Sequence, residues 1–273
     1  SSKVFQASHC GQRPSQRADS KPQPLQKNTD FVLLTSRVFD LRPRMGPPGM
    51  PNRHVAIDGP VASGKTITAQ ALARELGTLY LDTGAMYRAA AYLTLREGID
   101  LDNEHAILTL LERHAIRLVH DAATPVGYRV EIDGVDVGAR LFDPDVAAVV
   151  STVAAHPGVR EKMVLAQRAI AAQGPVVMAG RDIGTVVLPD ARFKFFLTAS
   201  VDERAKRRAL EFHERGLDLP FGEVREQVVE RDRLDTTRAV APLRAATDAV
   251  VIDSTTLEPQ DVIARMRARI GAA

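Results

Sequence analysis

Eight consecutive residues, Gly59-Pro60-Val61-Ala62-Ser63-Gly64-Lys65-Thr66, carry the spacing G-x-x-x-x-G-K-[ST]. Glycines at these positions let backbone amides curl around phosphate oxygens, and a helix starting at the lysine presents its positive end to them. Lys65 would reach the β- and γ-phosphates of a nucleotide and Thr66 would offer a hydroxyl to Mg²⁺, with Ile67 closing the stretch read as ATP-binding. The bland alternative is a glycine turn between a strand and a helix. An aliphatic strand before the loop and an amphipathic helix after it favour phosphate binding.

A phosphate loop serves kinases, GTPases and ATPase motors alike, so the arginines carry more information. Phosphoryl transfer needs fixed positive charge on the donor, on the acceptor phosphate and on the group in flight. Arg88 ends Asp82-Thr83-Gly84-Ala85-Met86-Tyr87-Arg88, and Arg181 lies in Gly180-Arg181-Asp182-Ile183-Gly184-Thr185; each follows a predicted strand. Ligands of parallel sheets bind beyond the carboxyl ends of the strands, so both arginines should project toward the phosphate loop. Singly, each reads better as a surface ion pair; three strand ends opening into polar, glycine-rich turns shift the reading to a site. Arg204, Arg207 and Arg208 share one helical face, and Glu230-Arg231-Asp232-Arg233-Leu234-Asp235-Thr236-Thr237-Arg238 follows. Alone this is a solvated charged helix. Beside a phosphate loop it reads as a mobile lid that excludes water from the reacting phosphoryl group.

Positioning these side chains takes a sheet whose strand ends converge. Residues 54–58, 79–82, 176–179, 193–198 and 249–253 are brief, aliphatic and bounded by turn or polar residues, as buried strands are. Helical patterns lie between them at 66–76, 85–97 and 158–172, and a last helix follows Pro259, with Val262, Met266 and Ile270 on one face. Strands alternating with helices imply an α/β fold with a parallel sheet covered on both faces. Two stretches read as excursions from that sheet: residues 101–172, with a helix and a hairpin signal at 128–132 and 135–137, and the charged helices of 201–240.

Composition bounds the rest. The 273 residues contain one cysteine, Cys10, which excludes an intrachain disulfide and a cysteine-built zinc site. No apolar run approaches the roughly 18 residues of a membrane-spanning helix, and a cytosolic protein is expected. Residues 1–50 carry eight Lys and Arg against three Asp, a net +5, leaving −3 for the remainder of a chain whose net charge is +2. That distribution argues against the body as a general nucleic-acid binder. Residues 1–51, rich in Ser, Gln, Pro and Arg, read as a disordered basic leader, or as an upstream artefact with the true start at Met45 or Met50. The sequence leaves that choice open.

Taken together, these segments resemble the bacterial cytidylate kinase family of nucleoside monophosphate kinases. The resemblance runs over residues 54–270. It is carried by Ile57-Asp58-Gly59-Pro60 at the loop, residues 82–88, Gly180 through Val187, Arg231, Asp235, Arg238-Ala239-Val240-Ala241-Pro242-Leu243 and Asp253-Ser254-Thr255. It implies a P-loop three-layer fold with a five-stranded parallel sheet. The core would comprise 52–100, 173–200 and 241–273, with an acceptor-binding insertion at 101–172 and a helical lid with acceptor-contact helices at 201–240.

The resemblance also implies roles. Thr83, Arg88, Arg181 and Arg238 would hold the acceptor's 5′-phosphate, while Ser151, Arg160 and Asp182 would meet the cytosine edge and Arg231 and Asp235 the ribose. Lys65, Arg88, Arg181 and Arg238 would be catalytic, and Arg204, Arg207 and Arg208 would close on ATP. Cytosine shows an amino donor beside ring acceptors, so a carboxylate and a guanidinium complement it. One departure stands out: the family places an acidic residue just before Gly-Arg-Asp, where this chain has Ala179. Mg²⁺ would then rest on Thr66 directly, with Asp58 through water or the phosphate oxygens completing its shell.

The implied activity moves the γ-phosphoryl group of MgATP to CMP, and to dCMP, by direct attack of the acceptor phosphate. The partners would be small nucleotides, with no nucleic acid and no membrane, and a monomer is expected. Two rivals remain: a kinase for UMP, AMP or shikimate, and a P-loop regulatory module that hydrolyses nucleotide slowly. The second predicts few acceptor-side arginines and a glutamine poised for water; the sequence offers several arginines and no such motif.

Overall fold

The strand that enters the phosphate loop, Val55–Asp58 (β1), is buried at all four positions, and in the computed structural model it is the middle of the sheet. The structure describes residues 53–271 except 122 and 125, so the leader reading lies outside the described residues. In chain order the body runs β1, Lys65–Leu76 (α1), Leu79–Asp82 (β2), Thr83–Arg96 (α2), Glu104–Arg113 (α3), Ile116–His120 (β3), Tyr128–Ile132 (β4) and Val135–Asp136 (β5). It continues with Pro144–Ala155 (α4), Pro157–Ala171 (α5), Val176–Gly180 (β6), Phe193–Thr198 (β7), Val201–His213 (α6), Phe221–Thr237 (α7), Val250–Asp253 (β8) and Pro259–Gly271 (α8).

Five strands pair in parallel in the order β2-β6-β1-β7-β8. The chain leaves β1 toward one edge to make β2, then turns back through β6 to β7 and β8. Right-handed crossovers in opposite directions place α1 and α2 on opposite faces. The α1 helix packs against α8, and α2 packs against β6 and α4. Buried Ala85, Ala89, Ala90 and Ala91 strip bulk from α2, which lets its backbone lie close to its neighbours. With few aromatics, the core is mostly aliphatic: Ile57, Leu72, Leu81, Met86 and Leu93 are fully covered, as is Phe195.

The five predicted strands are the five strands of the main sheet. The predicted hairpin is β4–β5, joined by β3 into a three-stranded antiparallel sheet, with alternating burial along β4. Two elements have no counterpart in the sequence reading. Apolar residues fall all round α4, so it shows little periodicity and sits sandwiched against α2 and α5. The five-residue β3 is too short for its alternation to stand out.

Candidate active site

The phosphate loop leaves β1 at the point where the chain's crossovers reverse direction, where open α/β sheets form their binding crevice. Its shape is fixed by close approach. Gly59 has φ 152°, and a Cβ there would lie 2.0 Å from the Leu197 carbonyl oxygen of β7, so no other residue fits. Gly64 caps α1 in the left-handed region, and no side chain caps the helix, so its first N–H groups face the loop. Lys65 is buried; its ammonium donates to the Pro60 carbonyl and, at 3.2 Å, to the Ser63 hydroxyl. Burial, and then the neighbouring Arg181, push its pKa well below the ordinary lysine value, while Asp82, Asp235 and Asp58 pull it back. Phosphate oxygens would do the same more strongly, so this ammonium is primed for an anion.

One cleft of about 390 Å³ collects Val61, Ala62, Lys65, Thr66 and Ile67 from the loop with Thr83, Arg88, Arg160, Arg181, Asp182, Arg208, Arg231, Asp235 and Arg238. Ser151 lines an adjoining groove between α4 and α7, together with Arg231. Asp82 caps α2 by accepting the Gly84 N–H at 2.9 Å, and its other oxygen accepts from Arg88 at 2.7 Å. Thr83 donates to the Ala179 carbonyl at 3.0 Å, tying the turn after β2 to β6.

Facing the loop stands a buried network. Asp182 accepts from Arg160 at 2.5 Å and lies 3.6 Å from Arg238, while Asp235 accepts from Arg181 at 2.7 Å and Arg231 at 3.4 Å and lies 3.8 Å from Arg238. Several buried polar atoms here lack a hydrogen-bond partner: Ser151 Oγ, Arg160 Nε, the Tyr87 hydroxyl and Arg238 Nη2, which meets Asp182 only at ion-pair distance. Burial works to raise the Asp235 carboxyl, but Arg181, Arg231 and Arg238 outweigh it and hold the pKa at about 2. A depressed carboxylate stabilises the fold above its unfolded pKa and loses that contribution as pH falls through the folded one. Asp235→Asn should therefore lower unfolding free energy by about 2 kcal/mol from pH 7 down to pH 5, with the gap closing between about pH 4 and pH 2. Denaturant melts of both proteins across that range check it.

Three expected side chains, Asp58, Arg204 and Arg207, sit elsewhere than a ligand wall. Both oxygens of Asp58 accept backbone N–H groups at 2.7 Å, from Ile183 and Gly184. Burial raises its pKa to about 6, and it stays behind the cleft, anchoring the segment that carries Arg181 and Asp182. Arg204 is buried and braces α6: it makes a bidentate pair with Asp232 of α7 and donates to the Ala199 and Val61 carbonyls. Arg207 donates to the Ser254 hydroxyl and carbonyl and lies beside Gly64, on the outer side of the loop. The glycines and Ser63 contribute backbone curvature rather than exposed side chains.

The cleft also holds Asp82, Tyr87, Phe142, Glu211 and Arg215, to which the sequence reading gave no individual roles. Asp82 and Tyr87 lie inside a motif already singled out. Phe142 and Arg215 carry no local signal.

The cytidylate kinase family model matches residues 55–271. The chain is 48% identical to a cytidylate kinase of Desulfitobacterium hafniense over 215 residues, 79% of this chain and 91% of that one. It is 47% identical to a cytidylate kinase of Pelotomaculum thermopropionicum over 219 residues, 80% and 96% of the two chains, and 46% identical to one of Geobacillus over 215 residues, 79% and 95%. A match over nearly all the described residues, joined to a phosphate loop facing an arginine–carboxylate network, leaves one conclusion: this chain belongs to the cytidylate kinase family.

Proposed function

We propose that this protein transfers the γ-phosphoryl group of MgATP to CMP, and to dCMP, giving the diphosphate and ADP. The observation that carries the reading is the buried Asp182–Arg160–Arg238 cluster, whose unpartnered donors lie in the same cleft as Lys65. Buried polar atoms without partners are costly unless a ligand takes them. A cytosine edge, with its amino donor and ring acceptors, suits a carboxylate flanked by guanidiniums.

Each group has a task. The loop amides and Lys65 hold the donor phosphates and counter charge growing on the β–γ bridge oxygen. Arg208 on the cleft wall faces the donor nucleotide, with Arg204 holding its helix in place and Arg207 bracing the outer side of the loop through Ser254. Thr83, Arg88, Arg181 and Arg238 hold the acceptor phosphate in line, and Arg231 and Asp235 take the ribose. No side-chain nucleophile is needed, because an acceptor phosphate oxygen attacks the γ-phosphorus.

The residues present fit Mg²⁺. Thr66 and Asp82 are hard oxygen donors on the cleft wall. Asp82 pairs in register with Ala179, so its carboxylate stands beside the position where the family's acidic residue is replaced by a methyl group. Bound with the nucleotide, the ion would neutralise charge on the β- and γ-phosphates. Asp58, which lies behind the cleft rather than on its wall, is left to its anchoring role. Among the described residues no helix is long and apolar enough to cross a membrane, and the reading is completed by a cytoplasmic monomer acting on free nucleotides.

A coupled assay of ADP release tests this, with CMP, dCMP, UMP, AMP, shikimate and no acceptor compared side by side. CMP and dCMP should give the highest kcat/KM, with acceptor-free hydrolysis at least about 10²-fold slower than transfer. Preference for another acceptor overturns the substrate, and hydrolysis as the main activity overturns the transfer reaction.

A further inference from the structure

Seven arginines line the cleft: Arg88, Arg160, Arg181, Arg208, Arg215, Arg231 and Arg238. Six sit against carboxylates: Asp82, Asp182, Asp235 and Glu211 account for them all. Arg215 has no carboxylate within ion-pair distance among the described residues; its guanidinium lies over the Phe142 ring, 4.2 Å from the centroid. Arg88, on the acceptor side, lies 4.7 Å from the centroid of the same ring. Two like charges therefore share one aromatic ring in the cleft that holds the phosphate loop.

Local backbone contacts shape both supporting turns. Phe142 ends the short 3₁₀ turn Arg140–Phe142; Leu141 is buried beneath it, while Phe142 itself is 39% exposed. Arg215 lies just past the end of α6, in a turn closed by its own N–H on the Phe212 carbonyl and by Gly216 at φ 74°. The backbone on both sides is thus set, and the guanidinium is held on a ring face by the attraction of a cation for the ring's π electrons. Burial lowers the Arg215 pKa, as do Arg208 and Arg88, against the pull of Glu211 and Glu214. A cation held beside two others without its own ion pair is favoured by any anion that arrives between them.

We propose that Arg215 is a further contact for the acceptor's phosphate, a lid residue that joins Arg88 on the phosphate monoester dianion and so links acceptor binding to lid closure. The proposal rests on the reading of the cleft as a CMP site. Arg88 can satisfy one edge of the dianion, and a second guanidinium approaching from the lid satisfies another. The anion that draws Arg88 from Asp82 also draws Arg215, and with it the end of α6. Phe142 sets the spacing of the two guanidiniums until the anion replaces it.

Titration calorimetry of CMP against cytidine, which lacks the phosphate, isolates this contact. The proteins compared are wild type, Arg215→Ala, Arg215→Lys and Phe142→Leu. Arg215→Ala should weaken CMP binding about tenfold, the loss of one charge-assisted contact, while its affinity for cytidine and for ATP shifts less than about twofold. Arg215→Lys should recover part of the loss, and Phe142→Leu should weaken CMP about threefold by releasing the pre-set guanidinium. Unchanged CMP affinity in Arg215→Ala overturns the proposal. So does an equal loss for CMP and cytidine, which marks a structural role, or a loss that falls on ATP. If the wild type binds no CMP, the acceptor reading itself has failed. The pairs UMP and uridine, or AMP and adenosine, then carry the same comparison for Arg215.

Discussion

Replacing Lys65 with Ala is expected to lower kcat by at least about 10²-fold at saturating ATP and CMP, with the fold intact. The ammonium acts where charge grows as the β–γ bond breaks, so its loss raises the barrier more than it weakens ground-state binding. Stability should hold for a separate reason. Burial already lowers this lysine's pKa, so the folded state carries a desolvation penalty that alanine removes. The groups it leaves, the Pro60 carbonyl and Ser63 hydroxyl, belong to a loop that borders the cleft. Steady-state kinetics together with a thermal melt check both halves. Near-normal turnover would mean the loop serves structure alone, and a fall in Tm of more than about 5 °C would mean that Lys65 holds the fold.

The second large effect concerns acceptor choice. Asp182 is buried, with one oxygen on Arg160 and the other toward Arg238. A carboxylate accepts the cytosine amino group but opposes the carbonyl oxygen that uracil has in its place. Sites that reject a ligand by leaving buried polar groups unpaired discriminate strongly. Asp182→Asn keeps the volume and supplies an amide donor that uracil can use. The ratio of kcat/KM for CMP over UMP should fall about 10²-fold, mostly through loss with CMP. Some loss with both acceptors is expected, because Arg160 and Arg238 lose their counter-charge. An unchanged ratio would mean that Asp182 only orients the two arginines and that another group reads the base.

What was legible in the sequence was whatever is written locally. The phosphate loop is eight contiguous residues whose spacing has a single purpose, and the strands of the main sheet are short aliphatic runs with clear ends. Long-range pairing was not legible. Arg204, Arg207 and Arg208 share a helical face, and nothing in that face says that Arg204 meets Asp232 of α7 and is buried as a brace while Arg208 reaches the cleft. Asp58 precedes the loop directly, yet its partners are N–H groups some 125 residues later in the chain, so it braces the segment that carries Arg181 and Asp182. Phe142 and Arg215 meet across two turns from separate excursions. The α4 helix was hidden because a segment apolar on every side has no period to detect.

The central place of β1 bears on how the molecule is made. Val55 is the register partner of Val177 on one side and of Phe193 on the other, and the loop's glycine lies against the Leu197 carbonyl. A nascent chain emerging from the ribosome therefore carries the nucleotide-binding motif long before it has anything to brace it. Until roughly residue 180 is free, β1 has two open hydrogen-bonding edges and no neighbour, and one edge stays open until roughly residue 198. Such non-local parallel pairing is slow to form and exposes aliphatic edges meanwhile. ATP affinity should thus arise late and abruptly during synthesis, and C-terminal truncations ending before β7 should aggregate rather than bind nucleotide weakly.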